Sequence, residues 1–188
     1  MWKKKKIDFM LEEEVDERLI FRFYPRQSSC HSFNENPPTK PEDVYKVYYS
    51  YAIIKQFKWD NDSQWESEVF YRESFDECSI IDEVGHTCLL LADGYETFER
   101  EDGERIPLLD EELFPFGCGT KWTISKHTCT EYGCFKEDED VVINYYTFTL
   151  FDHWNKGFKF TLKEEKLKAF GEYLLECCDY MLTHGDPI

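Results

Sequence analysis

The last quarter of the chain sets the strictest limit on the fold. Residues 141–162 read as two strands joined by a turn, and an amphipathic helix follows directly. Val141 to Phe151 is β-branched and aromatic. Trp154-Asn155-Lys156-Gly157 supplies a turn whose glycine accepts a positive φ. Phe158, Phe160 and Leu162 then alternate with Lys159 and Thr161, the period of a half-buried strand. Leu167, Phe170, Leu174, Cys178 and Met181 recur at steps of three and four, which predicts one apolar helix face over 162–183. Thr161 and Glu164 fit a capping box at its start, and Gly185 and Pro187 a stop at its end. Strands followed by one terminal amphipathic helix argue for a helix packed on one face of an antiparallel sheet.

Strand patterns also dominate the chain before this point. Leu19 to Tyr24 is a short apolar run, and Pro25, Pro37, Pro38 and Pro41 bracket a loop. Tyr45 to Trp59 alternates at its odd positions, with Lys55 the exception. Asp60-Asn61-Asp62-Ser63 is turn chemistry, and Gln64 to Tyr71 returns as the partner strand. Asp93-Gly94 and Asp102-Gly103 predict two further hairpins. The expected class is α+β: an antiparallel sheet built of hairpins with the C-terminal helix packed on one face. At 188 residues, a single domain spanning 1–188 is expected.

Charge is concentrated rather than spread. The chain has 39 acidic and 22 basic residues, a net of −17. Residues 60–112 carry 18 acids and 3 bases, net −15, while residues 1–59 carry +2 and residues 113–188 carry −4. Such density normally signals disorder. Here Trp65, Val69, Phe70, Ile80, Ile81, Leu89, Leu90, Leu91, Tyr95 and Phe98 interrupt it, so the segment reads as strands with an acidic solvent face. The balance argues against binding nucleic acid by phosphate neutralisation. No run of the ~18 apolar residues that a membrane span needs is present. Lys3 to Lys6 resembles the start of a signal peptide, but six acids between Ile7 and Glu17 replace its apolar core, so a cytoplasmic location is expected.

Eight cysteines stand at 30, 78, 88, 118, 129, 134, 177 and 178, with no CxxC pair. Cys118, His127, Cys129 and Cys134 fall close together among glycines and form the candidate zinc set, since zinc takes four sulfur or imidazole ligands. The competing reading is small core residues, because free cysteine packs well. Cys118 between Gly117 and Gly119 has the open backbone a nucleophile needs, but no base is identified beside it. Neither GxxxxGK[ST] nor GxGxxG occurs.

The acidic segment therefore carries the functional expectation. Alternate residues of a strand lie ~6.6–6.8 Å apart on one face. Glu66 with Glu68, Glu99 with Glu101, and Asp102 with Glu104 have that spacing. Two neighbouring strands of this kind approach the charge density of a nucleic-acid strand, one charge per ~3.4 Å. In this small, acidic, aromatic composition the chain resembles phage or mobile-element inhibitors such as anti-CRISPR proteins, and equally the immunity proteins that neutralise bacterial toxins. The resemblance implies a non-enzymatic protein whose partner is a basic, nucleic-acid-handling protein. Asp60, Asp62, Glu66, Glu68, Glu99, Glu101, Asp102 and Glu104 would supply charge, and Trp59, Trp65 and Tyr95 would anchor. A zinc-binding or cysteine-dependent enzyme is the alternative.

Overall fold

The computed structural model describes residues 8–30, 46–59, 64–110, 121–131, 141–151 and 157–184. Asp60, Asp62, Cys118 with its flanking Gly117 and Gly119, Cys134 and the lysines at 3–6 lie outside them, as do Gly185 and Pro187.

The fold is α+β, as the strand-then-helix order predicts. β1 (Asp8–Glu13), β2 (Glu17–Cys30), β3 (Lys46–Phe57) and β4 (Glu66–Glu77) form one antiparallel sheet in chain order. Helix α1 (Cys78–Ala92) follows β4 without a break. β5 (Thr97–Glu99) and β6 (Arg105–Pro107) form a small hairpin. β7 (Lys121–Glu131), β8 (Val141–Phe151) and β9 (Gly157–Lys163) form a second antiparallel sheet, and helix α2 (Glu164–His184) closes the described chain.

Aromatic side chains join these layers. Phe21 of β2 packs on Tyr51 of β3 at 5.1 Å and on Phe170 of α2 at 5.6 Å between ring centroids. Phe148 and Phe160 stack at 4.9 Å on the second sheet, and both meet Phe170 edge-on. Trp122 is fully buried, and its indole N–H donates to the Tyr51 hydroxyl at 3.2 Å, linking the two sheets. A buried indole needs such a partner, because an unpaired donor in an apolar core is costly.

α2 keeps the expected face: Leu167, Phe170, Leu174 and Cys178 are buried. Its start differs from the capping-box expectation. Thr161 is still in β9, where its hydroxyl meets that of Thr147 at 3.1 Å. Glu164 instead receives Asn144 Nδ2 at 2.9 Å and the Tyr146 hydroxyl at 3.4 Å, both from β8. The strand ladder satisfies Thr161 first, and the helix begins after it.

The larger correction is α1. The apolar clusters at Ile80–Ile81 and Leu89–Leu91 were expected as strands, but they lie on a helix. Ile81, Val84, Cys88 and Leu91, at steps of three, four and three, are all buried. Asp93-Gly94 is accordingly a helix end and not a hairpin turn. Gly94 has φ +84°, its N–H bonds to Leu91 O at 3.1 Å, and Tyr95 N–H bonds to Leu90 O at 3.0 Å. This is a Schellman cap, in which glycine takes the left-handed position. Asp102-Gly103 does form a hairpin turn, with Gly103 at φ +85°.

α1 is held against α2 by glycines. A Cβ on Gly171 would sit 2.8 Å from Gly85 O and 2.9 Å from the Cys88 Cβ. A Cβ on Gly85 would sit 2.9 Å from Leu175. The helices therefore cross at backbone contact, which only residues without a side chain permit.

Candidate acidic and aromatic interface

The register of the first sheet builds a face with acids and rings side by side. Glu17 of β2, Phe57 of β3 and Glu66 of β4 lie in one cross-strand row. Leu19, Lys55 and Glu68 form the next row on that face. A register shift between Ile53 and Ile54 leaves Phe70 without a cross-strand partner. Its ring, 44 % exposed, comes to 6.2 Å from Phe158 of β9. A bulge re-aims side chains in this way. Trp59 follows β3, is 76 % exposed and meets Phe57 edge-on at 5.5 Å.

Beside this face runs a cleft of about 380 Å³ between the first sheet and β9. Glu12, Glu14, Glu17, Lys55, Phe70 and Phe158 are among the residues lining it. Glu17 is engaged, since Lys55 Nζ lies 2.6 Å from its carboxylate. Glu12, Glu14, Glu66 and Glu68 form no ion pair among the described residues. Arg18, Lys55 and Lys159 also line the cleft, so its own charge is balanced, and the sheet face beside it presents Glu66 and Glu68, without ion pairs among the described residues, near exposed rings.

The residues singled out in the sequence divide among several places. Glu66, Glu68 and Trp59 belong to this face. Trp65 lies on the other side of the sheet, with the Arg18 guanidinium 4.1 Å and Lys58 Nζ 4.6 Å from its ring centre. Glu99, Glu101, Asp102 and Glu104 belong to the β5–β6 hairpin, where three of them hold the hairpin itself. Arg105 Nε lies 3.4 Å from Glu99, Arg100 lies 3.4 Å from Glu104, and Asp102 Oδ1 accepts the Glu104 N–H at 3.0 Å. Only Glu99 of these four is in a strand, so the alternate-residue spacing does not carry through the turn. Tyr95, 57 % exposed, sits at the α1 cap, and Phe98, 49 % exposed, lies close by in sequence.

Reading charge by thirds of the chain hid one acidic element. Glu12-Glu13-Glu14-Val15-Asp16-Glu17 lies at the β1–β2 turn, in a third whose net is positive. Glu14 N–H bonds to Glu17 O at 2.8 Å, and Val15 at the tip is 81 % exposed. The local density, five acids in the six residues 12–17, was the available signal.

No known protein family, curated protein or solved structure matches the chain. His127 and Cys129 share the outer face of β7 and are both exposed, and among the described residues no group of three potential ligands converges. Cys88 is wholly buried, and desolvation pushes its thiol far above the usual range, which disfavours the thiolate a nucleophile requires. Cys177 and Cys178 are buried on α2. Among the described residues no helix is long and apolar enough to cross a membrane.

Proposed function

We propose that this protein is a non-enzymatic acidic binding protein that docks on a basic surface of a nucleic-acid-handling protein and inhibits it. One observation carries the reading: among the described residues Glu66 and Glu68 stand without ion pairs, on the same sheet face as exposed Trp59 and Phe70. Unpaired carboxylates steer a basic partner, and exposed rings supply the anchors that dominate binding energy. Glu12 and Glu14 add carboxylates to the adjoining cleft, beside Arg18, Lys55 and Lys159. The β5–β6 hairpin adds Glu101, which has no ion pair among the described residues.

The test begins with capture of a partner from the native host at low salt. The reading requires that the captured protein bind nucleic acid and that nucleic acid compete with this chain for it. Glu66→Lys with Glu68→Lys is then expected to weaken binding about tenfold or more and to flatten its salt dependence, with Trp59→Ala adding a further loss. Glu99 and Asp102 are poor sites for this test, because their reversal would also loosen the hairpin. Affinity indifferent to salt and to the Glu66/Glu68 reversal would overturn the reading.

A further inference from the structure

Among the described residues, almost every sheet edge is blunted. β1 is interrupted by a bulge between Met10 and Glu12, and Lys166 Nζ caps the Leu11 carbonyl at 3.0 Å. β4 carries two register shifts. β5 and β6 have three residues each. β9 carries Lys159 and Lys163 and borders clefts against the first sheet. Bulges, short strands and lysines are the usual protections of an open edge.

β7 is the exception. Its ladder with β8 is unbroken from Lys121 to Glu131. Among the described residues its other edge is used at one point, where Asp110 N–H donates to Ile124 O at 2.8 Å and Ser125 Oγ donates to the Asp110 carboxylate at 2.6 Å. In an antiparallel strand each residue directs its N–H and C=O to the same side, and the side alternates. The Ile124 contact therefore places the backbone groups of Lys126, Thr128 and Thr130 on that edge. Lys126 to Thr130 are exposed throughout. β9 pairs with β8 only from Tyr145 onward. Among the described residues, 128–131 and 141–144 thus continue as a two-stranded ribbon, with Val141 53 % and Val142 64 % exposed. Such a ribbon alone is marginal in water.

We propose that the β7 edge pairs with the same edge of a second copy of this chain, antiparallel about a two-fold axis at Cys129. A two-fold axis through two antiparallel strands stands perpendicular to the sheet, so it is centred on a residue. Centring on Cys129 faces the edge groups of Thr128 with those of Thr130 in the copy, on both sides of the axis. It also sets position 127, a histidine, across from position 131, a glutamate, twice. Centring on Thr128 instead sets Lys126 against Thr130 and His127 against Cys129, with no carboxylate facing the histidine. In the chosen register the two Cys129 residues form a non-hydrogen-bonded pair, with Cα atoms about 4.5 Å apart. That separation lies within the disulfide range of about 4.4–6.8 Å. Glutathione disulfide would then link them: the two thiols give up two protons and two electrons, and two glutathione thiols are released.

The full chain at about 100 µM, measured by light scattering, is expected to show twice its 22.6 kDa mass. Added salt should favour this dimer by screening two chains of −17 each, the opposite of its effect on a basic partner. Glutathione disulfide should yield a bridged Cys129–Cys129 peptide by mass spectrometry. Cys129→Asp puts like charges on the axis at an exposed position and should return a folded monomer, as should Thr128→Pro. A monomer at that concentration, or a dimer that survives Cys129→Asp, overturns the proposal.

Discussion

α1 and α2 bury the same kind of stripe against the same core, yet only α2 announces itself in the sequence. α2 follows a strand that alternates cleanly, opens with Glu164 and Glu165, and carries its apolar residues between lysines and glutamates. α1 has no acidic residue in its first turn and no basic residue in its last. It holds Ile80, Ile81, Val84 and Thr87, which favour strands, and Gly85, which weakens helices. Its helical state is decided by packing on α2 at the Gly85–Gly171 crossing. Propensity is a weak prior that tertiary contact overrides.

Substitutions on the two helices can break or sharpen this contrast. Phe170→Ala on α2 should have the largest effect. It empties the site where rings from both sheets meet, and about 3–5 kcal/mol of stability should be lost in a denaturant titration. Gly171→Ala should cost about 1–3 kcal/mol, because its Cβ would press on the α1 backbone. If α1 depends on this crossing, amide exchange in Gly171→Ala should accelerate more at Val84 and Cys88 than at Leu167. Equal acceleration in both helices would show that α1 needs no special support. Gly103→Ala should cost about 1–2 kcal/mol through its φ of +85°, with nothing nearby to clash, and should leave both helices unchanged.

The smallest effect is a pH dependence. Partial desolvation raises the Glu83 carboxyl above its usual range, opposed by the Arg100 charge and aided by that of Asp82. A carboxyl raised in the folded state favours folding below the unfolded value of about 4.3, and this contribution fades as pH rises through the folded value. Glu83→Gln should therefore be more stable than the parent at pH 7, by a few tenths of a kcal/mol given its exposure. The difference should vanish below about pH 4. A gain that persists in acid would mean that a contact other than this charge is responsible.

The acidic segment shows the same limit on reading as α1. Its charge was visible, but charge carries no period. Glu99 and Glu101 have strand spacing in the sequence, and a turn begins between them. Glu66 and Glu68 have the same spacing and do share a face, because β3 lends them a partner along the ladder. The Glu12–Glu17 run was legible as composition, and only the register of β2 with β3 places Glu17 beside Phe57 and Glu66.

The sequence by itself determined the α+β class, the β8–β9 hairpin, the buried face of α2 and the concentration of acid. Each is a local pattern whose period is set by backbone geometry. The tertiary structure alone decided that 78–92 is a helix, that Trp65 lies across the sheet from Trp59, and that among the described residues the β7 edge meets only Asp110. Those outcomes depend on which distant backbone arrives alongside. Gly171 reaches Gly85 across 86 residues of chain, and no local period records that approach.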